Sequence, residues 1–398
     1  LEKAEEQNSS AAADAVKQMA ALQGAGGQQA AMLTQLLGPL MSQAFGGKAS
    51  PTLRSLLAGK PATIVSPSAS LKKTSIAMAE AKKAALVVDK GELVGIFGFK
   101  DMMSRAVAKE LPLEHTAVES VMTPNPESVS PDMTVIEALQ VMHDNKFLNL
   151  PVCESDGRVC GLVGVMDLIY GCGGAEGWRS LFDRTMSMGG EDGSETASHY
   201  SHGSRSVRTN RTSSKSKASV AAVNERPVSK LRPKKPLISS ISDSVLSVAQ
   251  MLANKRGSAS LVIGVDGGLA GIITDTDVTR RLVAKDLDAG VTNVSKVMTA
   301  NPTVVSVNDP AMDALSTMVE NHFRHLPVVD DNGAVVGVLD IAKCLNDAIS
   351  KLEKAEEQNS SAAADAVKQM AALQGAGGQQ AAMLTQLLGP LMSQAFGG

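Results

Sequence analysis

Aromatic residues make up 3% of the 398-residue chain, with one tryptophan and two tyrosines. That is too few for a base-stacking surface, so nucleic acid is not an expected partner. An excess of either charge is also missing: 38 Lys and Arg against 41 Asp and Glu leave a formal net of −3. The chain as a whole therefore has no electrostatic pull toward nucleic acid or an anionic membrane. No apolar run approaches the ~18 residues that a membrane span requires. The four cysteines (Cys153, Cys160, Cys172 and Cys344) form no CxxC pair and no ligand spacing with histidine. They read as reduced thiols, which implies an intracellular and most simply cytoplasmic protein with no metal site. No secretory signal is visible, although the sequence begins at Leu1 and its true start is expected to lie further upstream. Phosphate-loop, dinucleotide, HExxH and GxSxG motifs are all absent, so the expectation is a non-catalytic protein.

What is present is repetition. Residues 1–47 recur without a single change at 352–398. The copy is Ala-, Gln- and Met-rich, and its pattern predicts helices broken at "QGAGGQQ". It reads as a helical linker between domains, and its exact repetition suggests a window cut from a longer array. A weaker repeat lies between the copies. "VMTPNP" at 121–126 matches "VMTANP" at 297–302, and "NKFLNLPV" at 145–152 matches "NHFRHLPV" at 321–328. "ALVVDKGELVGIFGFKDM" at 85–102 matches "SLVIGVDGGLAGIITDTDV" at 260–278. Four units follow, at about 53–112, 118–171, 228–287 and 294–350. Each predicts strand–helix–strand–strand–helix, an α+β unit too small to bury both faces alone, so pairing is expected. The pairs would form modules over 48–182 and 228–351. The helix of the fourth unit is expected to be capped at Asp309–Pro310. The stretch 183–227 is Ser-rich with a basic second half and predicts a disordered tether, a candidate for control by phosphorylation.

The pattern VMTxNP…FxxLPV…G resembles the cystathionine-β-synthase (CBS) domain, two of which form a Bateman module. It is similar to plant and algal proteins with two such pairs, some of which carry a Phox-type interaction domain; none is visible here. The resemblance implies adenine nucleotide (AMP, ADP or ATP) bound between paired units, with the signature Gly–apolar–apolar–Thr/Ser–x–x–Asp. Only "GIITDTD" at 271–277 is complete. It implies ribose reading by Asp277, which as a carboxylate is acceptor-only. The Thr274 hydroxyl and the free N–H groups of the helix start would then meet the α-phosphate. The same two residues would also suit a helix cap with nothing bound. Arg324 and His325 of the partner unit are the implied phosphate clamp, with His325 alternatively a core-edge imidazole. Leu237 and Ile238 are the expected adenine wall.

The other three signatures are incomplete. "GIFGFKD" keeps Asp101 but faces Leu148 and Asn149, and "GLVGVMD" keeps Asp167 opposite Lys82 and Lys83. Asp167 with Lys82 and Lys83 is therefore the expected weaker second site. "GVLDIAK" replaces the final carboxylate with Lys343 and predicts a structural cleft. The functional expectation is a regulatory module that senses a nucleotide and acts on an unidentified protein partner. It is also expected to self-associate through its CBS pairs, within one chain or between chains. The alternative is a ligand-independent scaffold.

Overall fold

The structure is a computed structural model, and it describes residues 51–171, 226–351 and 354. The expected helical linker at 1–47, all but residue 354 of its copy at 352–398, and nearly all of the tether at 183–227 lie outside the described residues. The four repeats belong to one compact unit that ends at Asn346.

Repeat one comprises a short helix α1 (Leu53–Leu57), β1 (Ile64–Val65), α2 (Leu71–Ala81), β2 (Ala85–Asp89) and β3 (Glu92–Phe97). Its closing helix α3 begins as Phe99–Asp101, widens to a π-helix over Met102–Ala106, and tightens to 3₁₀ over Val107–Lys109. Repeat two contributes β4 (Thr123–Pro124), α4 (Val135–Asn145), β5 (Asn149–Cys153), β6 (Val159–Gly164) and α5 (Val165–Gly171). Repeat three follows the plan of repeat one: β7 (Ile238–Ser240), α6 (Val245–Asn254), β8 (Ala259–Ile263), β9 (Leu269–Thr274), then α7. This last helix begins as Asp275–Asp277 and continues as π over Val278–Leu282 and 3₁₀ over Val283–Lys285. Repeat four has β10 (Thr299–Ala300), β11 (Val305–Ser306), α8 (Ala311–Glu320), β12 (His325–Val329), β13 (Val335–Asp340) and a helix from 341.

Local chemistry explains the boundaries. The Ser70 hydroxyl caps α2 by accepting from the Lys73 N–H, and Lys82 ends the helix in the left-handed region at φ 55. Thr134 and Glu137 form a capping box at α4, whose buried Val135, Ala138, Leu139 and Met142 follow the helical period. In α8 the N-cap is Pro310, which offers no side-chain cap. Asp309 accepts instead from the Ser306 N–H at 2.7 Å, so it closes the preceding turn rather than the helix.

The sheets exchange their edges. β4, which belongs to repeat two, pairs antiparallel with β3 of repeat one. β10 of repeat four likewise pairs with β9 of repeat three. Repeat three returns the exchange, because Lys234 bridges Val338 in β13. In repeat two the first strand shrinks to a single parallel bridge, Val129 to Val152.

The two modules pack against each other within the one chain. Leu71, Met78, Met102 and Met103 of repeat one share a single core with Val245, Val248, Leu252 and Leu282 of repeat three. Repeats two and four meet where the Tyr170 ring packs on His322, centroids 4.4 Å apart, and its hydroxyl donates to the Val319 carbonyl. His143 Nδ1 donates to Asn346 Oδ1 at 3.0 Å. The helical faces of repeats one and three are therefore covered from inside the chain.

Candidate functional site

β9 delivers Thr274 to the end of its sheet, where the chain turns into α7. The Asp277 carboxylate folds back over this turn. Its Oδ2 accepts from the Thr274 N–H at 2.9 Å and from the Thr274 hydroxyl at 2.7 Å. The Asp277 N–H donates in return to Thr274 Oγ1 at 3.3 Å, which completes a capping box. Asp277 Oδ1 lies 3.4 Å from Arg281, one turn along α7. Burial pushes the Asp277 carboxyl upward, against the pull of Thr274, Arg281 and Arg280. Arg281 also donates to the Val297 and Met298 carbonyls and to Thr299 Oγ1. One guanidinium thus ties the carboxylate to the incoming edge strand β10.

A cleft of about 470 Å³ opens beside this turn. Ile272, Thr274 and Asp277 form one wall; Asn301, Pro302, Phe323, Arg324 and Pro327 of repeat four face them. Arg280, Arg281 and Arg324 supply cations, and Asp275 sits beneath them, buried at 4% exposure. Burial pushes the Asp275 carboxyl upward, and Arg324 pulls it the other way. Arg324 Nε is buried and makes no hydrogen bond among the described residues; its nearest carboxylate oxygen is Asp340 Oδ1 at 3.9 Å. A buried guanidinium N–H without an acceptor favours an incoming anion.

Several expectations change at this site. The single proton of Thr274 is already donated to Asp277, so the hydroxyl positions the carboxylate and is not free for a phosphate. The N–H groups of the helix start are also engaged. Asp275 N–H donates to the Ser258 carbonyl at 3.0 Å, Thr276 N–H to Asp275 Oδ1 at 2.8 Å, and Asp277 N–H to Thr274. His325 lines the cleft, but its Nε2 meets Ser258 Oγ at 2.9 Å. Burial and Arg324 hold its pKa far below the usual histidine value, with Asp340 offsetting only part. A neutral imidazole is no phosphate clamp, so that charge falls to the arginines. Leu237 and Ile238 are not among the residues lining the cleft; Leu237 packs on the shared core and Ile238 is 55% exposed. The apolar wall is Ile272, Pro302, Phe323 and Pro327, which sequence reasoning missed because their signal is spread over two repeats.

The other three positions divide differently from the sequence expectation. Asp167 forms an ion pair with Lys83 at 3.5 Å, and Lys83 also donates to the Leu162 carbonyl. Neither this pair nor Lys82 lines the cleft beside Thr274 or the one beside Asp101. Asp340 is held by Lys234 at 3.1 Å, and Lys343 donates to the Arg232 carbonyl, so protein cations fill that corner. Asp101, facing Leu148 and Asn149, instead borders an open cleft of about 510 Å³. Among the described residues no group of three or more His, Cys, Asp or Glu could hold a metal, and no helix is long and apolar enough to cross a membrane.

Four α+β repeats, edge-exchanged in pairs with clefts at the strand ends, define a protein built from two paired cleft-bearing modules. The CBS domain profile matches residues 54–108, 118–172, 228–284 and 294–347, and the chain belongs to this family. The CBS domain-containing protein CBSCBSPB2 of Arabidopsis thaliana is 33% identical over 271 residues, 68% of this chain and 48% of the relative. CBSCBSPB3 of the same plant is 47% identical over 140 residues, 35% of this chain and 25% of the relative. The chain thus spans about half or less of the length of these curated relatives. The solved structure of protein MJ1225 from Methanocaldococcus jannaschii superposes with a TM-score of 0.52 at 16% identity, covering 74% of this chain and 99% of that one. That likeness is one of fold.

Proposed function

We propose that the chain is a non-catalytic regulatory module that binds an adenine nucleotide, AMP, ADP or ATP, between repeats three and four. Asp277 Oδ1 would accept from the ribose hydroxyls, Oδ2 being held by Thr274. Arg280 and Arg324 would take the phosphates, and Ile272, Pro302, Phe323 and Pro327 would flank the base. The observation that carries the reading is that Arg324, whose buried Nε makes no hydrogen bond and has Asp340 Oδ1 at 3.9 Å, lines one cleft together with the restrained Asp277 carboxylate. Because the cleft joins two repeats, a ligand preferring one spacing of its walls would shift the module toward that spacing. A partner, or the rest of the array, would read the shift.

Calorimetric titration of the full chain with AMP, ADP, ATP and S-adenosylmethionine tests this. Saturable binding of one nucleotide is expected, lost in Asp277→Ala and weakened about tenfold or more in Arg324→Gln, the loss of one charge-assisted contact. No binding by any of the four would leave Thr274 and Asp277 as a helix cap, and the ligand-independent scaffold would replace the sensor.

A further inference from the structure

Repeat four ends its hairpin in a carboxylate, Asp340, where the other three repeats carry Gly98, Gly164 and Thr274. Across the sheet Asp340 is paired with His325, the neighbour of Arg324. Repeat two lacks both charges, with Gly164 in place of Asp340 and Leu148 in place of Arg324. The arginine and the carboxylate therefore occur together. Asp340 is 8% exposed. Lys234 Nζ donates to its Oδ2 at 3.1 Å, and the Ala342 N–H donates to Oδ1 at 3.1 Å. Arg324 Nε lies 3.9 Å from Oδ1, and His325 Nε2 lies 4.0 Å from Oδ2. Burial pushes the Asp340 carboxyl up, but the charges around it, Arg324 foremost, pull it below its usual value, so it is ionised.

Two cations thus approach one carboxylate from different sides. Arg324 lines the cleft beside Thr274, and Lys234 does not. The Lys234 side chain is 53% exposed, against 28% for Arg324 and 9% for Asp340. Its backbone is fixed by two hydrogen bonds with Val338, at 3.0 and 2.9 Å, which keep the ammonium within reach of Asp340. The Lys234 contact is a formed charge-assisted hydrogen bond, whereas the Arg324 contact at 3.9 Å is too long to be one. A shift of about 1 Å would form it. An arginine N–H bonded to Asp340 would no longer be open to an anion in the cleft.

We propose that Asp340 is an internal competitor for Arg324, and that Lys234, from outside the cleft, decides the contest. With its charge in place, Lys234 occupies Asp340 and leaves Arg324 to an incoming anion. With that charge removed, the buried carboxylate is left without its bonded cation and draws Arg324 in. The cleft then loses its buried cation. Repeat four, whose own signature ends in Lys343, so controls the affinity of the cleft it shares with repeat three, and neutralising the exposed Lys234 weakens binding there. That the controlled anion is a nucleotide phosphate rests on the reading proposed above; the contest for Arg324 rests on the distances.

The test uses the full chain as wild type, Lys234→Met, Lys234→Arg, Asp340→Asn and the Lys234→Met/Asp340→Asn double variant. Each is titrated with AMP, and in the ligand-free protein the Nε–H resonance of Arg324 is followed by NMR, assigned by its loss in Arg324→Gln. Lys234→Met should weaken AMP about fivefold or more, and Lys234→Arg should bind as wild type does. Asp340→Asn should tighten AMP, and adding Lys234→Met to it should then change nothing. A lysine acting only through its distance from the phosphate would weaken AMP equally in both backgrounds. Without ligand, Lys234→Met should move the Arg324 resonance downfield as its N–H gains a carboxylate, and the double variant should not. An equal loss of AMP affinity with and without Asp340, or an Arg324 resonance that Lys234→Met leaves in place, overturns the proposal. Lys234 is exposed, so its two variants should fold, and the resonance decides the matter even if Asp340→Asn does not. A resonance that moves as expected in a protein that binds no AMP overturns the nucleotide reading alone.

Discussion

The Thr274 hydroxyl donates to Asp277 Oδ2 and accepts from the Asp277 N–H, so the carboxylate is fixed before a ligand arrives. The Thr274 backbone N–H adds a second hydrogen bond to that Oδ2, one that a change of the Thr274 side chain does not remove. Thr274→Ala therefore removes a cap worth about 1 kcal/mol. In a body of this size that lowers the melting temperature by about 2–4 °C. Nucleotide affinity should fall several-fold but survive, and melting plus calorimetry on the one variant reads both. His325 gives a pH prediction. Its pKa is depressed by burial and by Arg324, so the folded state holds it neutral. The unfolded chain takes up this proton below about pH 6.5 and the folded chain resists, so stability falls as pH drops through that range. His325→Gln keeps a partner for Ser258 and should flatten the loss, as urea unfolding between pH 7 and pH 5 would show. At this scale the family resemblance pointed to Asp277 and Arg324, and the structure places both on one cleft. The neutrality of His325 was not legible, because the burial that chiefly lowers its pKa is set by the fold and leaves no local signal.

Hairpins and long helices were readable because their periods and turns are local. Thr134 with Glu137 announces α4, and Lys90–Gly91, both at positive φ, fits the tight turn joining β2 to β3. The edge exchange was not readable. β10 is two residues long, and two residues carry no period. The VMT motif was visible as a repeat, but its pairing with the preceding repeat needs the fold. That pairing makes Gly271 a packing position. A Cβ there would lie 2.9 Å from the Thr299 carbonyl oxygen and against Met298. The side chain could move; the backbone of β10 could not without leaving β9. Gly271→Ala is expected to destabilise the protein by about 1–3 kcal/mol. It should also weaken nucleotide binding, because Asn301 and Pro302 follow directly from β10. At the equivalent Gly95 the nearest contacts are to the flexible Met122 side chain, so Gly95→Ala should cost less. Comparing urea midpoints of the two variants checks the ranking.

At the scale of the whole molecule, four repeats and their grouping into two pairs could be read in the sequence, but not whether the two pairs meet within one chain. A helical face reading Val245, Val248, Ala249, Leu252 shows that a partner is required, not whether it lies in the same chain. The structure supplies that partner from repeat one, with Leu71, Met78, Met102 and Met103 in the same core. Lys72 pairs with Asp286 across this junction. The two modules should therefore unfold together, and removing one should strand the face of the other. A fragment covering 226–351 would expose Val245, Val248, Leu252 and Leu282 at once, an apolar surface that monomers seldom leave open. Its nearest available cover is a second copy of itself, because the lost face of repeat one has the same plan of helices. The fragment is expected to sediment as a dimer, and Val248→Glu should return it to a monomer by placing a charge in that seam. In the full chain the same substitution should leave the sedimenting species unchanged and lower stability instead, since the face is covered internally. A fragment that stays monomeric with Val248 intact would show that repeat one is not needed to cover this face.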